Sequence, residues 1–118
     1  MQRQALIFGA TGAVGGELLK LCLDGDRDSQ VAAIARRPCS VKHEKLHWIE
    51  AEFDALDNLE PVSGMTDGDA YCCLGTTIKA AGSEAAFRRV DHDFVLNSAR
   101  YAKRCGARQF SMVSALGA

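Results

Sequence analysis

The stretch Ala5-Leu6-Ile7-Phe8-Gly9-Ala10-Thr11-Gly12-Ala13-Val14-Gly15-Gly16 decides how this chain is read. It runs from a short apolar strand through a glycine-rich turn into the start of a helix. Gly9 allows a tight turn off the strand. Gly12 has no side chain to obstruct a phosphate, and Gly15 lets the helix approach the sheet closely. The free N–H groups and positive dipole end of such a helix attract a pyrophosphate. The order of strand, turn and helix therefore predicts a dinucleotide cradle. Its spacing, Gly-x-x-Gly-x-x-Gly, differs from the Gly-x-Gly-x-x-Gly of ordinary dehydrogenases. Three glycines can also serve packing alone, and the strand before and helix after them favour the cradle.

Working outward, the chain has 118 residues, 47% of them hydrophobic and 25% charged, which suits one small α/β domain over 1–118. A net charge of −1 provides no basic footprint for nucleic acid. No apolar run approaches a membrane span, and the first residues do not resemble a signal peptide, so a cytoplasmic protein is expected. The five cysteines are Cys22, Cys39, Cys72, Cys73 and Cys105. They match no zinc pattern, and buried reduced thiols are the better reading. His43 and His47 lack the further ligands that a metal needs.

Strands and helices alternate along the chain. Strands are expected at Gln4–Phe8, Val31–Ala35, Leu46–Ile49, Ala70–Leu74 and Gln109–Val113. A first helix is expected over Ala13–Leu23, with Val14, Leu18, Leu21 and Cys22 on its buried face. Gly25 would stop it. A short helical piece at Asp54–Leu59 is cut by Pro61, and a turn follows at Gly64–Gly68. Ser83 would cap a long helix reaching about Arg104, with Phe87, Val90, Phe94 and Val95 inward and Gly106 closing it. This alternation predicts a doubly wound parallel sheet, the Rossmann fold, in the order 3-2-1-4-5. The ligand belongs at the switch between strands one and four.

The chain resembles the short-chain dehydrogenase/reductase superfamily in its extended or atypical branch. Gly9-Ala10-Thr11-Gly12-Ala13-Val14-Gly15 is similar to that branch's N-terminal turn. Cys72-Cys73-Leu74-Gly75-Thr76-Thr77, Gly82-Ser83-Glu84 and Val90-Asp91-His92-Asp93-Phe94-Val95-Leu96 resemble one subgroup more closely. It is the subgroup of the Tat-interacting tumour-suppressor protein and bacterial epimerase-like relatives. Ser114-Ala115-Leu116-Gly117-Ala118 resembles the end of its fifth strand. The resemblance implies that Gly9, Thr11, Gly12, Ala13, Val14 and Gly15 form the pyrophosphate turn. It implies Glu52 and Phe53 at the adenine, and Leu74, Gly75 and Thr76 along the ribose and nicotinamide. It places Ser114 near the nicotinamide as the catalytic hydroxyl.

Charge bears on the choice of cofactor. An NAD site carries Asp or Glu after the second strand, to bind the ribose 2′-hydroxyl. Here the strand runs into Arg36-Arg37, planar donors suited to a 2′-phosphate. NADP is the expected cofactor, with NAD the alternative if both arginines are solvated loop residues. Enzymes of the superfamily also use a Tyr-x-x-x-Lys pair for proton transfer. Four residues past Tyr71 is Gly75, and four past Tyr101 is Cys105. The sequence therefore reads as the cofactor-binding front of an oxidoreductase, truncated after strand five.

Three functions follow from these readings. The chain is the NADP(H)-binding domain of an oxidoreductase or nucleoside-diphosphate-sugar epimerase-like protein, a non-catalytic redox sensor, or a remnant that binds nothing. A dinucleotide, an undefined small-molecule substrate and a second copy of the chain are the expected partners, with no nucleic acid or membrane.

Overall fold

A computed structural model describes residues 3–10, 13–25, 28–38, 42–62, 68–73, 83, 85 and 89–112. Its core is a five-stranded parallel sheet in the order β3-β2-β1-β4-β5, the predicted doubly wound order. The strands are β1 (Arg3–Phe8), β2 (Asp28–Ala35), β3 (Leu46–Glu50), β4 (Asp69–Cys72) and β5 (Gln109–Met112). β1 lies at the centre, paired with β2 on one side and β4 on the other.

The apolar run Ala5–Phe8 is central because it is hydrophobic on both faces, each residue at most 1% exposed. Leu6 and Phe8 point into one core layer with Ala32, Ile34 and Tyr101. Ala5 and Ile7 point into the other, with Leu19, Val31 and Ala33. Full burial of Leu6, Ile7 and Phe8 contributes about 1.5–3 kcal/mol each.

Helix α1 (Ala13–Asp24) covers the second layer with a face rotated from the expected one: Cys22 is buried and Leu18 partly buried as expected, but Val14 and Leu21 are not. Leu19, Cys22 and Leu23 are buried, whereas Val14 is 55% and Leu21 70% exposed. The contact of Gly15 with the β1 turn sets the rotation of the helix. Residues four, seven and eight positions after Gly15 share its face, which turns Val14 and Leu21 outward.

The expected long helix is described at residue 85 and over 89–104. Ser83 lies in a bend, and residues 84 and 86–88, Phe87 included, fall outside the described residues. A π-helical segment, Arg89–Phe94, leads into α2 (Val95–Arg104), which covers the first layer. The fully buried hydroxyl of Ser98 donates to the Phe94 carbonyl at 2.8 Å, satisfying an acceptor of that wider turn. Helix α2 then grips the segment after β3, which forms only a 3₁₀ turn at Leu56–Asn58. Asn97 Nδ2 donates to the Phe53 carbonyl at 2.9 Å. Arg100 forms a two-point ion pair with Asp57, at 3.0 and 3.3 Å. Arg104 donates to the carbonyls of Leu56, Asp57 and Leu59 along that turn, the first of which also accepts from the Leu59 N–H. The Tyr101 hydroxyl donates to the Glu60 carbonyl at 2.8 Å. At Gly106 the chain leaves α2, its N–H bonded to the Lys103 carbonyl at 3.0 Å. At the opposite edge of the sheet, Arg108 on the approach to β5 pairs with the buried carboxylate of Asp69 at 3.2 Å.

Candidate functional site: the carboxyl edge around Gly9

The carboxyl ends of β1, β2, β3 and β4 form one edge of the sheet. The Gly9 N–H donates to the Ile34 carbonyl at 3.0 Å, and the Cys73 N–H donates to the Phe8 carbonyl at 2.9 Å. These bonds carry the pairing of β1 past its last strand residue on both sides. Helix α1 leaves β1 on one face of the sheet and α2 covers the other, so the connections diverge between β1 and β4. Such a switch point opens a crevice at the carboxyl edge.

Gly9 has φ 84°, a left-handed conformation that favours glycine, and the chain turns there. Helix α1 begins only a few residues later, and its third residue, Gly15, faces straight back onto Gly9. A Cβ at Gly15 would lie 2.1 Å from the Gly9 carbonyl oxygen and 3.1 Å from the Ala10 Cα. Only a residue without a side chain permits that approach. The start of α1 is thus held against the end of β1, with its first backbone N–H groups at the carboxyl edge. This is the arrangement that receives a pyrophosphate, so the residues present fit a dinucleotide. Thr11 and Gly12 lie outside the described residues. Val14 is exposed on the first turn of α1.

Arg36 and Arg37 follow β2 and are both exposed. Trp48 on β3 reaches this loop, its Nε1–H donating to the Arg37 carbonyl at 3.0 Å. Past β3, the Ala51 N–H donates to the Ala35 carbonyl at 2.9 Å, which ties the next loop to the same edge. Glu52 is exposed there. Phe53 is not: it is 3% exposed, and its ring sits 5.9 Å from that of Phe94. Its side chain belongs to the core, so Glu52 and the backbone are what this loop presents outward. The sequence reading missed Trp48 and Asn97 as organisers of these two loops. The signal for Trp48 was its alternation with Leu46 on the α1 side of β3.

Cys73 closes the edge at the end of β4, half-buried. Burial and the neighbouring Cys72 push its thiol above the ordinary range. Cys22, Cys72 and Cys105 are buried thiols and Cys73 is half-buried, and no metal-binding cluster occurs among the described residues. Leu74, Gly75, Thr76 and Ser114 lie outside the described residues. Tyr101 is fully buried between α2 and the sheet, its ring edge-on to that of Phe8. Burial raises its hydroxyl well above the usual tyrosine range, Cys105 adds to the rise, and Arg104 beside the ring opposes it. No helix among the described residues is long and apolar enough to cross a membrane.

Comparison with known proteins agrees with this geometry. The chain is 38% identical to Protein HTATIP2 of Rattus norvegicus over 119 aligned positions, covering 98% of this chain and 48% of that protein. It is 32% identical to the mitochondrial protein fmp52-2 of Aspergillus oryzae, covering 96% of this chain and 50% of that protein. The chain thus spans about half the length of these curated relatives. A variant of uronate dehydrogenase from Agrobacterium tumefaciens, complexed with NAD, superposes with a TM-score of 0.73. That match covers 98% of this chain and 42% of the dehydrogenase at 14% identity, a likeness of fold. The family described as NAD(P)H-binding matches residues 9–118, from the turn glycine onward, and the chain belongs to that family.

Proposed function

We propose that this chain is the NADP(H)-binding part of an oxidoreductase or nucleoside-diphosphate-sugar epimerase-like protein. The carrying observation is the contact of Gly15 with Gly9, which sets the start of α1 at the carboxyl edge of β1. Gly9, Thr11, Gly12, Ala13, Val14 and Gly15 would hold the pyrophosphate. Glu52 and the backbone at Phe53 would border the adenine. Leu74, Gly75 and Thr76 would border the nicotinamide half, and Ser114 would supply a hydroxyl there. Bound, the nicotinamide would accept or donate hydride to a substrate of the full-length parent.

The preference for NADP rests on Arg36 and Arg37, exposed at the end of the strand beside β1. An arginine fork pairs with a phosphate at two points, whereas a ribose hydroxyl offers it far less. Titration calorimetry with NADP+ and NAD+ tests this on the wild type and on Arg36→Ala/Arg37→Ala. NADP+ should bind more tightly to the wild type, and the double variant should lose that preference while keeping its NAD+ affinity. Equal wild-type affinities would overturn the preference, and no affinity for either dinucleotide would overturn the whole reading.

The same reading makes the chain cytoplasmic and self-associating. β5 is the outermost strand among the described residues, with Met112 57% exposed on it, and a strand edge of that kind recruits another strand. Fractionating cells for the native protein tests the location, and recovery with mitochondria, the place in the name of the fungal relatives, would overturn it. Light scattering on the purified chain decides the association.

A further inference from the structure

We propose that Trp48 is a specificity-positioning residue: its indole N–H holds the Arg36-Arg37 loop in the conformation that receives a 2′-phosphate. The inference rests on the NADP reading above and adds a residue to it that makes no contact with the cofactor.

The loop after β2 consists of exposed residues, Arg36-Arg37-Pro38. An exposed arginine loses much rotational freedom when it pairs with a phosphate, and a wandering backbone adds to that cost. Two features restrain this backbone. Pro38 limits the residue before it, which is Arg37, to extended conformations. Trp48 fixes the other side of the same peptide unit, donating from Nε1 to the Arg37 carbonyl at 3.0 Å. The indole comes from the neighbouring strand, where Trp48 pairs in register with Ala33, and its ring is half-buried against the α1 layer. The donor therefore stands on a rigid, packed element and the acceptor on an exposed loop. The strand positions the loop rather than the reverse. The glycine turn is tied by the Gly9 N–H to Ile34 and the Glu52 loop by the Ala51 N–H to Ala35, so loss of the indole bond should be felt at the 2′-phosphate.

The variant Trp48→Phe keeps an aromatic ring and removes the N–H. Calorimetry on the full chain with NADP+ and NAD+ should show NADP+ affinity falling about fivefold, the scale of one lost hydrogen bond, with NAD+ affinity unchanged. A purely structural role would lower both affinities together. Trp48 is the only tryptophan, so the wild type gives a single indole N–H resonance in nitrogen–proton correlation spectra. That resonance should shift on adding NADP+ and shift less with NAD+, a readout that stands if the variant fails to fold. A wild type without NADP preference overturns the reading beneath the proposal, and the proposal with it. A wild type that prefers NADP, with a variant preferring it equally or an indole resonance indifferent to NADP+, overturns the role of Trp48 alone.

Discussion

The carbonyl oxygen of Gly9 occupies the space that a side chain on Gly15 would need, 2.1 Å from where its Cβ would stand. Both partners are backbone, so neither can swing aside. Gly15→Ala should therefore push α1 off the sheet, at about 3 kcal/mol or more of stability, and weaken dinucleotide binding with it. Gly16 is the control, since a Cβ there would meet only the Ala10 carbonyl oxygen at 3.5 Å, an ordinary contact. Gly16→Ala should be neutral or stabilising by up to about 1 kcal/mol, because alanine is the better helix former. Urea denaturation of both variants checks the pair, and equal losses would remove the close approach as the reason for Gly15.

The turn at Gly9 and the strand order were legible because each rests on local chemistry: apolar runs of strand length, glycines between them, and short connections. The phase of α1 was not. Val14-Leu18-Leu21-Cys22 and Leu19-Cys22-Leu23 both follow helical spacing and share Cys22, and the Gly15 contact selects the second set. The burial of the Phe53 ring was not legible either, because its core partner, Phe94, lies far along the chain on another element. Trp48 was equally hidden, since its hydrogen bond crosses from β3 to the loop after β2.

Two side chains of α2 that bind the same segment should differ sharply in worth. Asn97 is part-buried, and its loss leaves the Phe53 carbonyl without that donor. Arg100 and Asp57 pair about half exposed to solvent. Asn97→Ala should cost about 1–3 kcal/mol, and Arg100→Ala less than about 1 kcal/mol. Added salt should erase most of the Arg100 effect and little of the Asn97 effect. Chemical denaturation at low and high ionic strength measures both, and a salt-sensitive Asn97 effect would contradict the assignment.

Tyr101 makes stability fall in alkali. Its folded hydroxyl holds the proton above the pH at which an unfolded tyrosine, near pH 10, releases it. Above that pH the native state binds more protons than the unfolded state, so stability declines as pH rises. The contribution is complete below about pH 10 and is lost from there upward toward the raised folded value. Cys105 acts in the same direction from its lower starting point, because burial raises its thiol too. Tyr101→Phe should lower stability at neutral pH, where the bond to the Glu60 carbonyl is lost, and flatten the decline above about pH 10. Denaturation midpoints across the alkaline range provide the test, and an unchanged slope in the variant would place the titrating group elsewhere.

Leu19 and Leu21 are two positions apart on α1 and should respond in opposite ways to the same substitution. Leu19 is 3% exposed in the layer with Ile7 and Val31, whereas Leu21 is 70% exposed. Leu19→Ala removes buried methyl groups and leaves a space that the sheet cannot close, at about 2–5 kcal/mol. Leu21→Ala loses little packing and should stay within about 0.5 kcal/mol of the wild type. A charged residue at Leu21 should be tolerated as well, which the sequence pattern alone would not suggest. The rotation of α1 set by Gly15 predicts this contrast, because turning the helix to bury Val14 and Leu21 would lift Gly15 away from Gly9. Thermal or urea unfolding of the two alanine variants measures the difference directly. Comparable losses at both positions would mean that Leu21 is covered in the folded protein and that the outward face of α1 has been misjudged.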